Sequence, residues 1–224
     1  MAIEMNESNQ NIIKFNHENN LNKDDFFISS SNKHILDLFD IFPNWEKNFL
    51  NIIGEKFSGK THLVNIFLNR FKGFQIDAKS LNENILDNIK INENIIIENL
   101  NKDIDENLLY TLFDLIEQNH KYLIITSEIP IVDLDFNLND LKSRSKNFLL
   151  QKIEKPDDEL IFAIILKYLS DKQISLDKSL IDFIVKRIDR SYGKIFDLLY
   201  KIDEVSLKKK KSIDFKIIKQ VLEE

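Results

Sequence analysis

Residues 48–61 read NFLNIIGEKFSGKT, and this stretch decides the fold. Its first part, residues 49–53, is an apolar run that predicts a buried strand. Its second part, residues 54–61, fits the phosphate-loop pattern G-x-x-x-x-G-K-[ST] in full, and a helical pattern follows it. Strand, loop and helix in this order are the context in which the pattern predicts a phosphate-binding site.

The loop residues have complementary roles at such a site. Gly54 and Gly59 let the backbone turn its N–H groups toward the α- and β-phosphates. Lys60 is expected to reach the β- and γ-phosphates, and the Thr61 hydroxyl to hold Mg²⁺. The N-terminus of the following helix adds its dipole to the anion site. The predicted nucleotide contacts of the loop are Gly54, Phe57, Ser58, Gly59, Lys60, Thr61 and His62.

Strands and helices alternate along residues 26–154. Apolar runs predict five strands, at residues 49–53, 73–77, 94–98, 122–126 and 148–150. Helical patterns lie between them, including one at 81–89, and Ser31 or Asn32 is expected to cap a helix at 32–42. Such alternation predicts an α/β fold with a parallel sheet and helices on both faces.

The pattern changes near residue 155. After that point only helical patterns follow, at residues 157–170, 177–189, 191–207 and 214–223. We therefore predict three parts: an N-terminal segment at 1–25, an α/β nucleotide domain at 26–154, and a small all-helical domain at 155–224.

Composition excludes several classes of protein. The net charge of −6 argues against a protein held to nucleic acid by its whole surface. The chain has no cysteine, so disulfides and thiolate metal sites are excluded. Its first residues are polar and acidic, unlike a signal peptide, and its apolar runs are far shorter than a membrane span. We expect a cytoplasmic protein that is not bound to membranes.

A carboxylate at the end of a buried strand completes the predicted site. Glu98 follows the apolar run at 95–97 and is expected to organise Mg²⁺ together with Thr61. Asn99 stands next, where a second acid often polarises the attacking water. Because an amide cannot accept the proton of that water, we expect stable nucleotide binding and weak local hydrolysis.

Two further stretches hold candidate catalytic residues. Thr126 and Ser127 end the fourth predicted strand, from which a polar side chain can touch the γ-phosphate. Arg144 precedes the fifth strand, in the run 140–145. From the edge of the domain this arginine could stabilise transition-state charge on the nucleotide of a neighbouring subunit.

Together these pieces resemble the AAA+ ATPases, and among them the DnaA-like initiator proteins. The run TSEIP at 126–130 is similar to the sensor motif of that clade, and DLKSR at 140–144 matches its arginine-finger motif in full. The chain is shorter than DnaA and ends after a helical lid. The resemblance therefore implies no sequence-specific DNA binding.

A closer resemblance, over almost the whole chain, is to the Hda-like group of DnaA-related proteins. QNIIKF at 10–15 is similar to their clamp-binding hexapeptide, with Gln10, Ile13 and Phe15 as the contact residues. FPNW at 42–45 is similar to another motif of the group. The segment at 24–32 corresponds to the part that wraps the adenine, and its expected contacts are Phe26, Phe27, Ile28 and Asn32.

The resemblance implies a specific function. Hda-like proteins bind ADP, associate with the DNA polymerase III sliding clamp, and promote hydrolysis of the ATP held by DnaA, which is negative regulation of replication initiation. For this chain the resemblance implies that Arg144 acts in trans on the ATP held by DnaA and that the nucleotide in the chain's own site is structural. The second sensor of the family falls on or beside Gly193, so Lys194 or Arg190 is expected to replace it.

Several alternatives stay open. The bound nucleotide is ADP or ATP with Mg²⁺, and the chain is a monomer or a homo-oligomer. Instead of a regulator, the protein could be a DnaA-like module that loads a helicase or binds a partner without stimulating hydrolysis. A self-contained ATPase motor is a third hypothesis, which predicts fast turnover that depends on Glu98.

Overall fold

The computed structural model describes residues 26–174, 176–209 and 215–223. Within them the strands are β1 Phe49–Ile53, β2 Phe74–Asp77, β3 Asn94–Leu100, β4 Tyr122–Ser127 and β5 Leu149–Lys152. The α-helices of the first part are α1 Lys33–Asp40, α2 Lys60–Arg70, α3 Leu86–Ile91, α4 Glu106–Gln118 and α5 Asn139–Ser145. Those that follow are α6 Asp158–Asp171, α7 Lys178–Val185, α8 Tyr192–Lys209 and α9 Phe215–Glu223.

The strands form one parallel sheet in the order β2-β3-β4-β1-β5. Strand β1 lies between β4 and β5. The register pairs Ile53 with Ser127 on β4 and Asp77 on β2 with Glu98 on β3. Since all strands point the same way, their carboxyl ends meet at one edge of the sheet. Ligands of open α/β sheets bind outside this edge.

Side chains of the sheet alternate between two apolar layers. Phe49 packs on one face with residues of α3, α4 and α5, including Phe113. Leu50 and Ile52 pack on the other face with α1 and α2, where Phe39 and Phe67 are fully buried. The two layers cover both faces of the sheet and hold the ends of its strands in place.

A third apolar cluster joins α6, α7, α8 and α9, and no strand of the described residues enters it. Two buried side chains of these helices lie outside that cluster. Leu160 of α6 and Tyr192 of α8 are buried in the layer formed by α1, α2 and the sheet. The helical part therefore packs directly on the α/β part.

The α/β architecture and the five-stranded parallel sheet confirm the prediction from sequence. The division at residue 155 stays a prediction. Asn32, one of the two expected capping residues, is the N-cap residue of α1, but its side chain accepts a hydrogen bond from the Ser29 N–H and makes no cap bond. The helix expected at 81–89 is a 3₁₀ turn, Glu83–Ile85, followed by the short α3.

Trp45, from the FPNW motif, anchors the segment before β1. Its indole N–H donates to the Leu38 carbonyl at 2.8 Å, and its ring packs on Phe42 and Phe67. The motif therefore fixes α1 against α2. Across residues 26–174, 176–209 and 215–223, no helix combines the length and the apolar character needed to cross a membrane.

Candidate nucleotide-binding site

The phosphate loop connects β1 to α2 at the carboxyl edge of the sheet. Gly59 has a φ of +93°, a conformation that L side chains rarely adopt. At Gly54 an added Cβ would overlap the Ser58 hydroxyl. The pattern therefore needs both glycines for steric reasons. The Ser58 hydroxyl is itself buried without a hydrogen-bond partner among the described residues, which leaves a polar atom for a ligand inside the loop.

The Lys60 ammonium lies inside the loop and is held by backbone oxygens. It donates to the carbonyls of Gly54 at 2.7 Å and Glu55 at 2.8 Å. Burial lowers the pKa of Lys60, although the carboxylates of Glu128, Glu98 and Glu55 act in the opposite direction. The loop therefore encloses a buried cation, and the contact of Lys60 with the β- and γ-phosphates stays a prediction.

Thr61 of α2 and Glu98 of β3, the two predicted Mg²⁺ ligands, contact each other directly. The Thr61 hydroxyl donates to Glu98 Oε2 at 2.6 Å, and Glu98 is buried. The other carboxylate oxygen accepts from the Gln75 amide. Two adjacent oxygen ligands beside a buried lysine fit a Mg²⁺ ion that also binds phosphate oxygens.

Asn99 sits beside this pair in the left-handed backbone conformation, which asparagine tolerates. Its φ is +58°, and its amide donates to Asp77 Oδ2 at 2.6 Å. Its backbone N–H donates to the Thr126 hydroxyl at 3.0 Å. Thr126 therefore supports the Glu98–Asn99 turn. Asp77 was not predicted as part of the site; the signal for it was its place at the end of a short strand.

Ser127 lies in a buried hydrogen-bond network with Asn51 of β1. Its hydroxyl donates to the Ile129 carbonyl at 2.6 Å and accepts from the Asn51 amide at 2.8 Å. The Asn51 oxygen accepts from the Ile131 N–H at 2.8 Å. Asn51 thus fixes the turn after β4. The sequence analysis did not identify Asn51, although it is the one polar residue inside the apolar run at 49–53.

The segment predicted to wrap the adenine crosses the start of α2. The Phe26 ring contacts His62 edge-on, with ring centroids 4.9 Å apart, and lies against Gly59. Asn32 is buried and donates to the Phe27 carbonyl at 3.0 Å, so it shapes the segment from inside. Phe27 and Ile28 are 44% and 53% exposed.

A cavity of about 230 Å³ opens between the loop and the helical part. Its lining includes Gly54, Glu55, Glu128 and Tyr192, together with residues 152–155. The structure therefore has a space beside the phosphate loop that both parts of the chain enclose.

The two candidates for the second sensor differ in their surroundings. Arg190 pairs with Asp158 at 2.8 Å, at the start of α6. Lys194 lies in the first turn of α8 and is exposed. Lys194 therefore lies on the helix that contacts the phosphate loop, whereas the Arg190 side chain binds the start of α6.

Arg144 lies on α5 and faces α4. Its guanidinium pairs with Asp114 at 2.7 Å and with Glu117, and it stacks 5.0 Å above the Tyr110 ring. The side chain is only 20% exposed. The predicted arginine finger is thus bound within the chain. Gln10, Ile13 and Phe15 of the predicted clamp motif lie outside the described residues.

Comparison with known proteins gives a family match in the helical part. Residues 158–222 match the family model described as Hda, lid domain. An uncharacterized protein of Haemophilus influenzae is 24% identical over 187 residues, which cover 78% of this chain and 81% of that protein. The chromosomal replication initiator protein DnaA of Thermoanaerobacter sp. strain X514 is 25% identical over 201 residues, which cover 79% of this chain. The chain spans 45% of that DnaA.

Solved structures share the fold. Domain III of the Thermotoga maritima replication initiation protein DnaA has a TM-score of 0.69 at 20% identity, over 89% of this chain and 94% of that one. The Thermotoga maritima RuvB Holliday junction branch migration motor has a TM-score of 0.61 at 13% identity, over 85% and 68%. With its phosphate loop and five-stranded parallel sheet the chain has the AAA+ fold, its helical part matches the Hda lid domain, and its sequence is similar to that of DnaA.

Proposed function

We propose that this chain is a nucleotide-binding regulator of DnaA-dependent replication initiation. The observation that carries the proposal is the pairing of a phosphate-loop site built from Lys60, Thr61 and Glu98 with an Hda-type lid. Two solved DnaA structures with this fold are described as bound to AMPPCP, one of them also to single-stranded DNA. These neighbours support an adenine nucleotide, ADP or ATP with Mg²⁺, as the ligand.

Local hydrolysis should be slow in this protein. In the structure the Asn99 amide donates to Asp77, and an amide has no capacity to accept a proton from water. Glu98, which contacts Thr61 and Gln75, would hold Mg²⁺ together with Thr61 and so would not take that proton. The nucleotide would then hold the site in one shape, and chemistry would take place on a partner.

The partner in this proposal is DnaA, approached together with the DNA-loaded sliding clamp. Gln10, Ile13 and Phe15 would bind the clamp, and Arg144 would stabilise charge on the ATP held by DnaA in the cytoplasm. In the free chain Arg144 is bound by Asp114 and Glu117. Phosphate oxygens are competent replacements, since an arginine fork binds carboxylate and phosphate with similar geometry.

The ligand is identified by mass spectrometry of nucleotide released from the purified protein. We expect co-purified ADP, and turnover of added ATP far below the typical enzyme range of about 1–10³ s⁻¹. Fast turnover that disappears in Glu98→Gln would overturn the regulator and favour a self-contained motor.

The regulatory step is tested with ATP-loaded DnaA and clamp-loaded DNA. Wild type should accelerate loss of the DnaA-bound ATP, and Arg144→Ala should remove the acceleration while leaving ADP affinity unchanged. Arg70→Ala is the matched control, because it breaks a surface pair with Asp40 far from α5. Clamp pull-down with Gln10→Ala and Phe15→Ala tests the N-terminal motif.

A second candidate function is a partner-binding or helicase-loading module without effect on hydrolysis. The intrachain binding of Arg144 by two carboxylates favours it, because a bound guanidinium is not presented to a partner. Binding to the replicative helicase, together with unchanged hydrolysis of DnaA-bound ATP, would select this function.

A further inference from the structure

The phosphate loop touches the lid directly, through two residues that the loop pattern leaves unspecified. Glu55 Oε2 accepts from the Ser191 hydroxyl at 2.8 Å and from the Tyr192 N–H at 3.1 Å. Phe57 packs on Phe196 with ring centroids 5.0 Å apart. Both contacts join the turn between β1 and α2 to the first turns of α8.

The Glu55 contact has the form of a helix N-cap supplied from another domain. The first N–H groups of a helix have no partner within it, and an acceptor that satisfies them stabilises the terminus. A carboxylate also interacts favourably with the positive end of the helix dipole. Glu55 is 136 residues away from Ser191 along the chain, so this cap depends on how the two parts are placed.

The Phe57 contact is independent of the first one. Phe57 has a φ of +67°, which is uncommon for a bulky residue and costs free energy unless its surroundings compensate. Its ring is 41% exposed and meets Phe196 one turn further along α8. The loop therefore accepts an unfavourable backbone conformation at the residue that reaches the lid.

We propose that Glu55 and Phe57 are positioning residues that transmit the state of the phosphate loop to the lid. Lys60 donates to the Glu55 carbonyl, and Glu55 in turn holds α8. A phosphate that draws Lys60 away from this carbonyl changes the same residue that caps the lid helix. Nucleotide binding thereby sets the position of Lys194 and the rest of the first turn of α8. This inference rests on the proposed nucleotide binding.

Hydrogen exchange of the full chain, read by mass spectrometry on the first turn of α8, tests the proposal. In wild type, saturating ADP should change the exchange rate of this turn. In Glu55→Ala the turn should exchange about 2- to 30-fold faster without ligand, the range expected for loss of a cap. In this variant ADP should still bind by calorimetry but no longer change the exchange of α8. Glu55→Gln keeps an acceptor and should fall between the two.

A matched control separates this contact from general loosening of the segment before α8. Asp158→Ala removes the ion pair to Arg190, which adjoins Ser191 but does not touch the loop. It should leave the effect of ADP on α8 intact. Phe196→Leu should weaken that effect and, combined with Glu55→Ala, show coupling in a double-mutant cycle.

The outcomes distinguish a failure of the coupling from a failure of nucleotide binding. An unchanged effect of ADP on α8 in Glu55→Ala would overturn the positioning role, as would an equal loss in Asp158→Ala. If wild type binds neither ADP nor ATP by calorimetry, the proposed function fails and the coupling fails with it. Ligand-free exchange of Glu55→Ala then still decides whether Glu55 holds the lid.

Discussion

Two cations were expected to meet phosphate, and the structure surrounds them differently. Lys60 is held by two backbone carbonyls of its own loop. Arg144 is held by two carboxylates and an aromatic ring from another helix. A phosphate that binds Lys60 replaces two neutral carbonyl acceptors. A phosphate that binds Arg144 leaves the carboxylates of Asp114 and Glu117 without their cation.

The difference teaches how far a short motif determines its own surroundings. Every group that holds Lys60 lies within residues 54–60, so the pattern carries the geometry with it. The partners of Arg144 lie 27 and 30 residues earlier, on α4. The DLKSR motif therefore identifies Arg144 as the candidate finger, but it does not predict which side chains the guanidinium contacts. Four substitutions, two at these cations and two at other hydrogen-bonded side chains, test the difference between local and distant partners, from the largest expected effect to the smallest.

Lys60→Ala should abolish nucleotide binding. At a concentration 100 times its Kd, ADP stabilises a binding protein by about 2.7 kcal/mol, which corresponds to a Tm increase of about 5–10 °C for this chain length. The variant should show no increase in a thermal-shift titration. Lys47→Ala is the control, since that ammonium donates to two carbonyls outside the loop, at 3.2 and 3.5 Å. A Tm increase that survives in Lys60→Ala would contradict the role of the lysine.

Asn51→Leu should destabilise the phosphate-loop end by about 2–4 kcal/mol, because it leaves buried donors and acceptors of Ser127 and Ile131 unpaired. Urea unfolding measures the change. The control is Asn48→Ala, on the same segment, whose amide makes one exposed bond at 3.4 Å. Equal stability of the two variants would show that the buried network is not required.

Arg144→Ala should cost about 1–2 kcal/mol by the same measurement, since it removes charged hydrogen bonds and leaves Asp114 and Glu117 to repel each other. Arg70→Ala, which breaks a pair whose side chains are 40% and 58% exposed, should cost about 0–1 kcal/mol. If the two losses are equal, Arg144 is as weakly held as a surface arginine, and the contrast with Lys60 disappears.

Glu106→Gln should produce the smallest effect, visible in its pH dependence. Hydrogen bonds from the backbone N–H groups of Asn137 and Leu138 lower the pKa of Glu106 below its ordinary value of 4.5. A lowered carboxyl pKa contributes stability above pH 4.5 that is lost as the pH falls through the folded value.

The Tm difference between wild type and Glu106→Gln should thus be constant at neutral pH and shrink below about pH 4.5. Melting curves recorded between pH 3 and 7 check this. Asp87→Asn is the control, because its partner Lys90 forms an exposed pair. A difference that grows on acidification would have the wrong sign for the bonds that Glu106 makes.

Much of the fold was predictable from sequence, because alternating apolar runs and helical patterns determine the layers locally. The contact between Thr61 and Glu98 was also predictable, since each ends or begins an element at the same edge of the sheet. Asn51 and Asp77 were not, because their partners lie on neighbouring strands whose register is set by the whole sheet. Glu55 was missed for a similar reason: its partners are Ser191 and Tyr192, more than 130 residues away.

The burial of Leu160 and Tyr192 beneath α1 and α2 couples the unfolding of the helical part to that of the sheet. A chain cut after residue 155 would lose both side chains and open a hole beside the sheet. Heating should therefore melt the helical part in the same calorimetric transition as the sheet.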